Sequence, residues 1–277
     1  MQRTLHMLWH QGELNAPPWI QKNFQRVREL NPDYEVIIHD RQSVRKVLDG
    51  SRINFPSDIK IQNLSDIFRM TLLMEGGIWL DASAFLTKPL SQWVPQKLEE
   101  SDFLAFSYND NWRLPLSNWF LAAKADSLIM NRWFDAARSY WNSDFVAADE
   151  ETNRRLLSGN PFEFMKLGGP SRNRVYPYFW SHFLFGHLIQ SDKEFAEEWR
   201  LVSSPSSERA HLVQFELRKR SHSTKNKLKY RIAELLNRKN LRLKDKGLLM
   251  SSPIQKLDWR MDIDIDYWSS LAEVQSS

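Results

Sequence analysis

The chain has 277 residues, of which 42% are hydrophobic and 26% charged, with no cysteine and a formal net charge of +4. That length and apolar share suffice for one large core, read as a single domain over residues 1–277. The lack of cysteine excludes a disulfide framework or a thiolate zinc site and fits a reducing compartment.

No apolar run approaches the length that spans a bilayer, and MQRTLHMLWHQGE at the N-terminus has no apolar stretch followed by a small-residue cleavage site. The expected location is the cytoplasm. Arg3 to Trp9 reads as a first strand, with Trp9-His10-Gln11-Gly12 at its end. Glycine permits a tight turn there, and the aromatic ring and histidine could meet a nucleotide base, although packing is the commoner role. Ala16-Pro17-Pro18 breaks the chain before a helix predicted over 19–30, with Pro18 suited to its first turn. Asn31-Pro32-Asp33 is a turn, and 34–39 is a second strand rich in β-branched residues. Strand, helix and strand make a βαβ unit, which predicts an α/β fold with a mostly parallel central sheet flanked by helices.

The stretch SDIFRMTLLMEGGIWLDASAFLTKPL, residues 65–90, has the grammar of a helix ended by Gly76-Gly77. Ile78-Trp79-Leu80 then reads as a strand buried on both faces, with Asp81 at its carboxyl end, where open α/β sheets bind ligands. On the helix, Asp66 and Arg69 share a face. Taken singly, these residues have a plain reading: a solvated i, i+3 ion pair and a turn aspartate. Taken together, they describe one site.

Further on, strands are predicted over 102–107 and over 116–123 (LSNWFLAA), followed by a helix through Trp133 to Trp141. Residues 145–177 show no pattern and are read as an insertion, with Gly168-Gly169-Pro170 as a loop inside it. Tyr178 to Ile189 is an aromatic helix carrying His182 and His187, the latter read as a core residue. Ser203 to Ser207 reads as a loop. Residues 218–246 hold twelve Lys or Arg against Glu234 and Asp245, so this segment carries +10 and the remainder −6. Leu228, Ile232, Leu235 and Leu236 lie at helical spacing among Lys225, Lys227, Lys229, Arg231 and Arg238. Such a basic amphipathic helix fits an anionic membrane surface, or equally an ordinary packed helix with a solvated outer face. Nucleic-acid binding is disfavoured, because no recognisable module accompanies the charge.

The run S-D-x-x-R … G-G-x-x-x-D-x-[DST] from Ser65 to Ser83 resembles the core of the capsular polysaccharide synthesis proteins, glycosyltransferases related to glycosyltransferase family 32. W-H-Q-G at 9–12 and N-P-D-Y-E-V at 31–36 are similar to that family's opening. Ser117-Asn118-Trp119-Phe120, the F-x-x-H-x-L-F helix around His182, His211-Leu212-Val213-Gln214 and Ser252-Pro253-Ile254-Gln255-Lys256-Leu257 resemble its later motifs. The resemblance implies a GT-A-like nucleotide-sugar-binding fold. It also implies transfer of a sugar, with retention, from a nucleoside-diphosphate sugar to a surface polysaccharide, capsular or lipopolysaccharide-type, or its lipid-linked precursor; the basic helix would then allow a peripheral place on the inner face of the plasma membrane. In that frame Asp81 would hold a divalent Mn2+ or Mg2+ bridging to the diphosphate. Arg69 and Lys256 would add fixed positive charge, and Asp66 would accept hydrogen bonds from the sugar. Trp9 would stack on the base, with His10, Gln11, Gly12 and Ala82 beside the donor; Asn118 would line the sugar pocket, and His182 would orient the diphosphate or acceptor.

One departure matters. Where many relatives have Asp-x-Asp, this chain has Asp81-Ala82-Ser83, so a second anionic metal ligand has become a hydroxyl. His211 is the candidate for the missing ligand. The competing reading is a non-catalytic basic module for a membrane surface or nucleic acid on a degenerate transferase fold. The missing second Asp and the +10 segment favour it; the retained Asp66, Arg69 and Asp81 oppose it.

Overall fold

A computed structural model describes residues 3–108, 111–168 and 173–272, with side chains at all of these except 233, 234, 236 and 237. Gly169 and Pro170 of the expected loop, and the side chain of Leu236, lie outside the described residues. The expected opening forms: strand β1 (Thr4–Leu8), helix α1 (Pro18–Leu30) and strand β2 (Glu35–His39), with β1 and β2 parallel and Leu5 opposite Val36. Proline heads α1, where its missing N–H has no helical partner to lose. Ile20, Phe24 and Val27, at helical spacing, bury one face of that helix against the sheet. Helix α2 (Arg41–Asp49) is capped by Asp40, whose carboxylate accepts from the Ser43 N–H at 2.9 Å.

Helix α3 (Ile61–Leu73) buries Ile67, Phe68, Met70 and Leu73, and with them the charged Asp66 and Arg69. It ends on the glycine pair. Gly76 has φ +79° and Gly77 φ +115°, and a Cβ on Gly76 would stand 2.7 Å from the Ala125 nitrogen, so only glycine fits this turn. Strand β3 (Gly77–Leu80) follows, one residue longer than expected and wholly buried, with Ile78 and Leu80 in one core and Trp79 in the other. Strand β4 (Ala84–Leu86), the short helix α4 (Val94–Lys97), strands β5 (Phe103–Phe106) and β6 (Ser117–Ala123), and helix α5 (Leu128–Tyr140) continue the chain. The central sheet has the order β2-β1-β3-β6-β5. β1 is parallel to β2 and β3, while β6 is antiparallel to β3 and β5, so β6 alone opposes the other four. The expected α/β architecture with a mostly parallel sheet therefore holds, with an apolar core on each face.

The region 145–177 is more ordered than its sequence suggests. It holds strand β7 (Phe145–Ala147), helix α6 (Glu150–Ser158) and strand β8 (Arg174–Tyr176), with β7 and β8 paired in parallel. Three-residue strands are too short for alternation to register. Helices α7 (Trp180–Ser191) and α8 (Lys193–Leu201) follow. His187, expected in the core, is only half-buried, its ring 5.5 Å from that of Phe162. The expected loop at 203–207 runs into a short helix, α9 (Ser207–Ala210).

Helices α10 (Leu212–Ser221) and α11 (Thr224–Leu249), strand β9 (Ile254–Lys256) and helix α12 (Ile265–Ala272) close the chain, with β9 antiparallel to β4. The basic segment divides by face. Arg220 donates to the buried Asp245 and to Glu216, and Lys244 donates to Glu216 at 2.8 Å, tying α10 to α11. Lys225, Lys227, Lys229, Arg231 and Arg238 are exposed, and so are Leu228, Ile232 and Leu235, an i, i+4, i+7 stripe. Among the described residues no helix is long and apolar enough to cross a membrane.

Candidate functional site

The carboxyl ends of β1 and β3 open into a cavity of about 470 Å³. Two early segments wall it, Leu8 to Gln11 and Asp81 to Ser83, as expected for a switch point in an open α/β sheet. Asp66, Arg69, Asn118, His182 and Lys256 complete the polar lining. Eleven of the thirteen residues nominated from the sequence thus meet here, though Trp9 and Lys256 are 247 positions apart. Gly12 does not line the cavity; its N–H donates to the Trp9 carbonyl at 2.8 Å and its φ of +89° turns the chain away. His211 also lies outside the lining, its Nδ1 2.7 Å from the Ser207 carbonyl oxygen and its ring stacked between those of Tyr108 and Phe215. It is not brought to Asp81 as a third ligand.

Asp66 is held on both oxygens. It accepts from the Asn118 amide at 2.8 Å and from the Ser181 hydroxyl at 2.9 Å, and stands 3.4 Å from the Arg69 guanidinium. Burial nevertheless dominates and raises its carboxyl to about 6, against the pull of Arg69 and its two hydrogen-bond donors. Arg69 is committed to the protein rather than aimed freely outward. Its Nε donates to the Ser65 carbonyl at 3.1 Å, one terminal nitrogen donates to the Asn118 carbonyl, and the other donates to the Ser65 hydroxyl at 2.9 Å. The guanidinium also lies 4.8 Å over the Trp79 ring and 3.6 Å from Asp81, so it bridges the two aspartates.

Asp81 sits at the mouth of β3, more open than Asp66. Trp79 Nε1 donates to one of its oxygens at 3.0 Å, and the Lys256 ammonium donates to the other at 2.9 Å. The same ammonium donates to Ser83 Oγ at 2.7 Å. Burial pushes the Asp81 carboxyl up, but Lys256 and then Arg69 outweigh it and hold the group below the usual range. His182 is buried beside Ser181, its Nδ1 3.3 Å from that hydroxyl; burial and then Arg69 lower it to about 3, so it is a neutral imidazole at pH 7.

These donors fit a protein-held divalent cation poorly. Such an ion takes several hard, mostly anionic oxygens. Here both oxygens of Asp81 already accept from the protein, Ser83 is neutral, and one ammonium contacts both residues. Among the described residues no group of three or more His, Cys, Asp or Glu is placed to hold a metal.

The sequence pattern of the capsular polysaccharide synthesis proteins matches residues 1–149, more than half of the chain. The chain belongs to this family. It is also similar to the O-glycosyltransferase braB of Annulohypoxylon truncatum, 31% identical over a 165-position alignment that covers 50% of this chain and 38% of that protein. To the glycosyltransferase afumC of Aspergillus fumigatus it is 25% identical over a 202-position alignment that covers 64% of this chain and 50% of that one. The matches thus take in half or less of the length of these curated relatives. Among solved structures, the UDP-bound glycosyltransferase domain from the YGT toxin aligns over 99% of both chains at 12% identity, with a TM-score of 0.40. The PaToxG glycosyltransferase aligns at 14% identity with a TM-score of 0.37, covering 73% of this chain and 75% of that one.

This capsular polysaccharide synthesis family member also places residues in and behind the cavity that motif reading passes over. Trp259 packs edge-to-face with Trp9, centroids 5.7 Å apart, carries the Arg260 guanidinium 4.8 Å over its ring, and is 44% exposed. Its position three residues after Lys256 was the available signal. Ser181, next to His182, bonds Asp66 from a helix 115 residues away, a pairing no local pattern announces. Tyr178 also lines the cavity, its phenol raised by burial and by Asp66 and Asp81.

Proposed function

We propose that this protein is a glycosyltransferase that moves a sugar from a nucleoside-diphosphate donor to a surface polysaccharide or its lipid-linked precursor, on a GT-A-like single domain. The observation that carries the reading is the pairing of two fixed cations, Lys256 and Arg69, around the strand-end Asp81 in a cavity walled by Trp9 and Trp259. A base beside the paired indoles and a diphosphate near the ammonium match the two ends of a nucleotide.

Breaking the bond between the sugar C1 and the diphosphate oxygen leaves the electron pair on the diphosphate, while the ring gains oxocarbenium character. Fixed charge aimed at that oxygen stabilises the developing anion with little reorganisation. The acceptor oxygen forms the new bond to C1. Both carboxylates of the cavity already accept from internal donors, so the departing diphosphate oxygen is the group that takes the acceptor proton, which suits a course with retention. His182, neutral and beside Asp66, orients the sugar or the acceptor by hydrogen bonding rather than by charge.

The exposed face of α11, basic with an apolar stripe, supports docking on an anionic membrane from the cytoplasmic side, near a lipid-linked acceptor. The same face, with Ser83 in place of a second Asp, favours the alternative of a non-catalytic binding module. Calorimetric titration with a panel of nucleotide sugars decides between them. Selective binding of one donor is the expected outcome. Binding of no donor would leave the basic module as the reading.

A further inference from the structure

We infer that the Lys256 ammonium takes the place of the divalent cation in this site, so that the donor diphosphate is bound and its departure assisted without a metal. This rests on the donor-site reading above. Lys256 Nζ contacts Asp81 at 2.9 Å and Ser83 at 2.7 Å, the two positions that an Asp-x-Asp pattern would use for a metal. An ammonium has three N–H donors. Two are spent on Asp81 and Ser83, which leaves the third for an oxygen atom in the cavity that Lys256 lines.

The placement is built in by the backbone. Lys256 pairs with Ala84 in the β4–β9 ladder, and the next N–H, that of Leu257, donates to the Ser83 carbonyl at 3.0 Å. The lysine is therefore anchored beside the very segment it neutralises, and its side chain is only 18% exposed.

Charge balance argues the same way. With Ser83, the four charged groups Asp66, Asp81, Arg69 and Lys256 sum to zero, with the ammonium facing the cavity. An aspartate at position 83 would make the site net negative, repelling a diphosphate unless a dication intervened. A hydroxyl at 83 and an ammonium at 256 are thus complementary substitutes for a carboxylate and a metal. A dication placed on Asp81 would also have to displace that ammonium or sit against it.

The test is calorimetric titration with UDP and GDP, in EDTA and in manganese chloride, on the whole chain. The wild type is expected to bind at least one of the two with affinities in EDTA and manganese within about threefold. In EDTA, Lys256→Ala should bind about 10- to 100-fold more weakly, the worth of a hydrogen bond to a charged group. Lys256→Gln, which keeps polar contacts to Asp81 and Ser83 without the charge, should show the same loss with an unchanged melting temperature. The double variant Ser83→Asp, Lys256→Ala should recover binding in manganese only, and the paramagnetic resonance spectrum of Mn2+ should report a bound ion there and none in the wild type. Wild-type binding that requires manganese would overturn the inference while leaving the donor site standing. Undiminished binding by Lys256→Gln in EDTA would overturn it as well. Binding of neither nucleotide in any condition would overturn the donor-site reading and the inference together.

Discussion

Asp66 offers a test of the site's electrostatics that needs no ligand. Its carboxyl is raised from its ordinary 3.8 to about 6 by burial, so its charged form costs the fold about 3 kcal/mol at about 1.4 kcal/mol per pH unit. The native state binds more protons than the unfolded chain between about pH 4 and 6, so stability falls as pH rises through that window, and the whole penalty is present above it. Asp66→Asn removes the penalty while keeping the local bonds. The amide oxygen accepts from Asn118, the amide nitrogen donates to Ser181 Oγ, and Arg69 retains Asp81 as a partner. Urea unfolding of wild type and variant at pH 4.5 and pH 7.5 makes titrating groups remote from Asp66 cancel in the difference. The variant should gain about 2 kcal/mol relative to wild type between the two pH values. A difference that does not change with pH would mean that Arg69 and the two hydrogen-bond donors compensate the buried charge completely, and the reasoning would fail.

Arg69→Ala leaves both aspartates without their shared cation and should cost about 3–5 kcal/mol in urea unfolding; unchanged stability with lost transfer would mean that the guanidinium serves the ligand instead. Trp259→Ala, at a half-open position, should weaken UDP or GDP binding by about 1–3 kcal/mol without moving the melting temperature. If inorganic pyrophosphate weakens equally, the ring does not stack on the base. Replacing Lys225, Lys227 and Lys229 together by Gln should reduce partition onto phosphatidylserine vesicles by about 1 kcal/mol per lysine, and vesicle binding equal to wild type would remove α11 as a membrane contact.

Residues 3–39 and 65–81 were legible because their signals are local, whereas helix α2 and strand β4 went unread. A proline at a helix start, a glycine pair at a helix end and an unbroken apolar strand each act within a few residues, and together they located Asp66, Arg69 and Asp81 on adjoining elements. What was not legible depends on distance along the chain. The helix spacing showed that Asp66 and Arg69 share a face, yet could not show that the face is buried, because Ser181 and the Asn118 backbone and side chain arrive from remote segments. Lys256 was nominated as a free cation for a diphosphate; its grip on Asp81 and Ser83 follows from the β4–β9 pairing, which no periodicity predicts for strands of three residues. His211 shared a motif with the site but not its geometry, since the Ser207 carbonyl and aromatic neighbours claim its ring. In the basic segment, counting charges could not separate the residues that tie α10 to α11 from those facing water.

The antiparallel match of β4 with β9 has a consequence for the ribosome as well as for the reaction. The ammonium that completes the strand-end site is encoded 175 positions after the carboxylate it grips. During synthesis, Asp81 emerges with Arg69 already beside it in sequence, but its second counter-charge is still untranslated. A contact of such long span closes late, after the loop entropy between its ends has been overcome. Until then the nascent chain holds the pocket without its ammonium, and a chain broken between residues 81 and 256 carries the early half of the site with Arg69 as the partner left to Asp81.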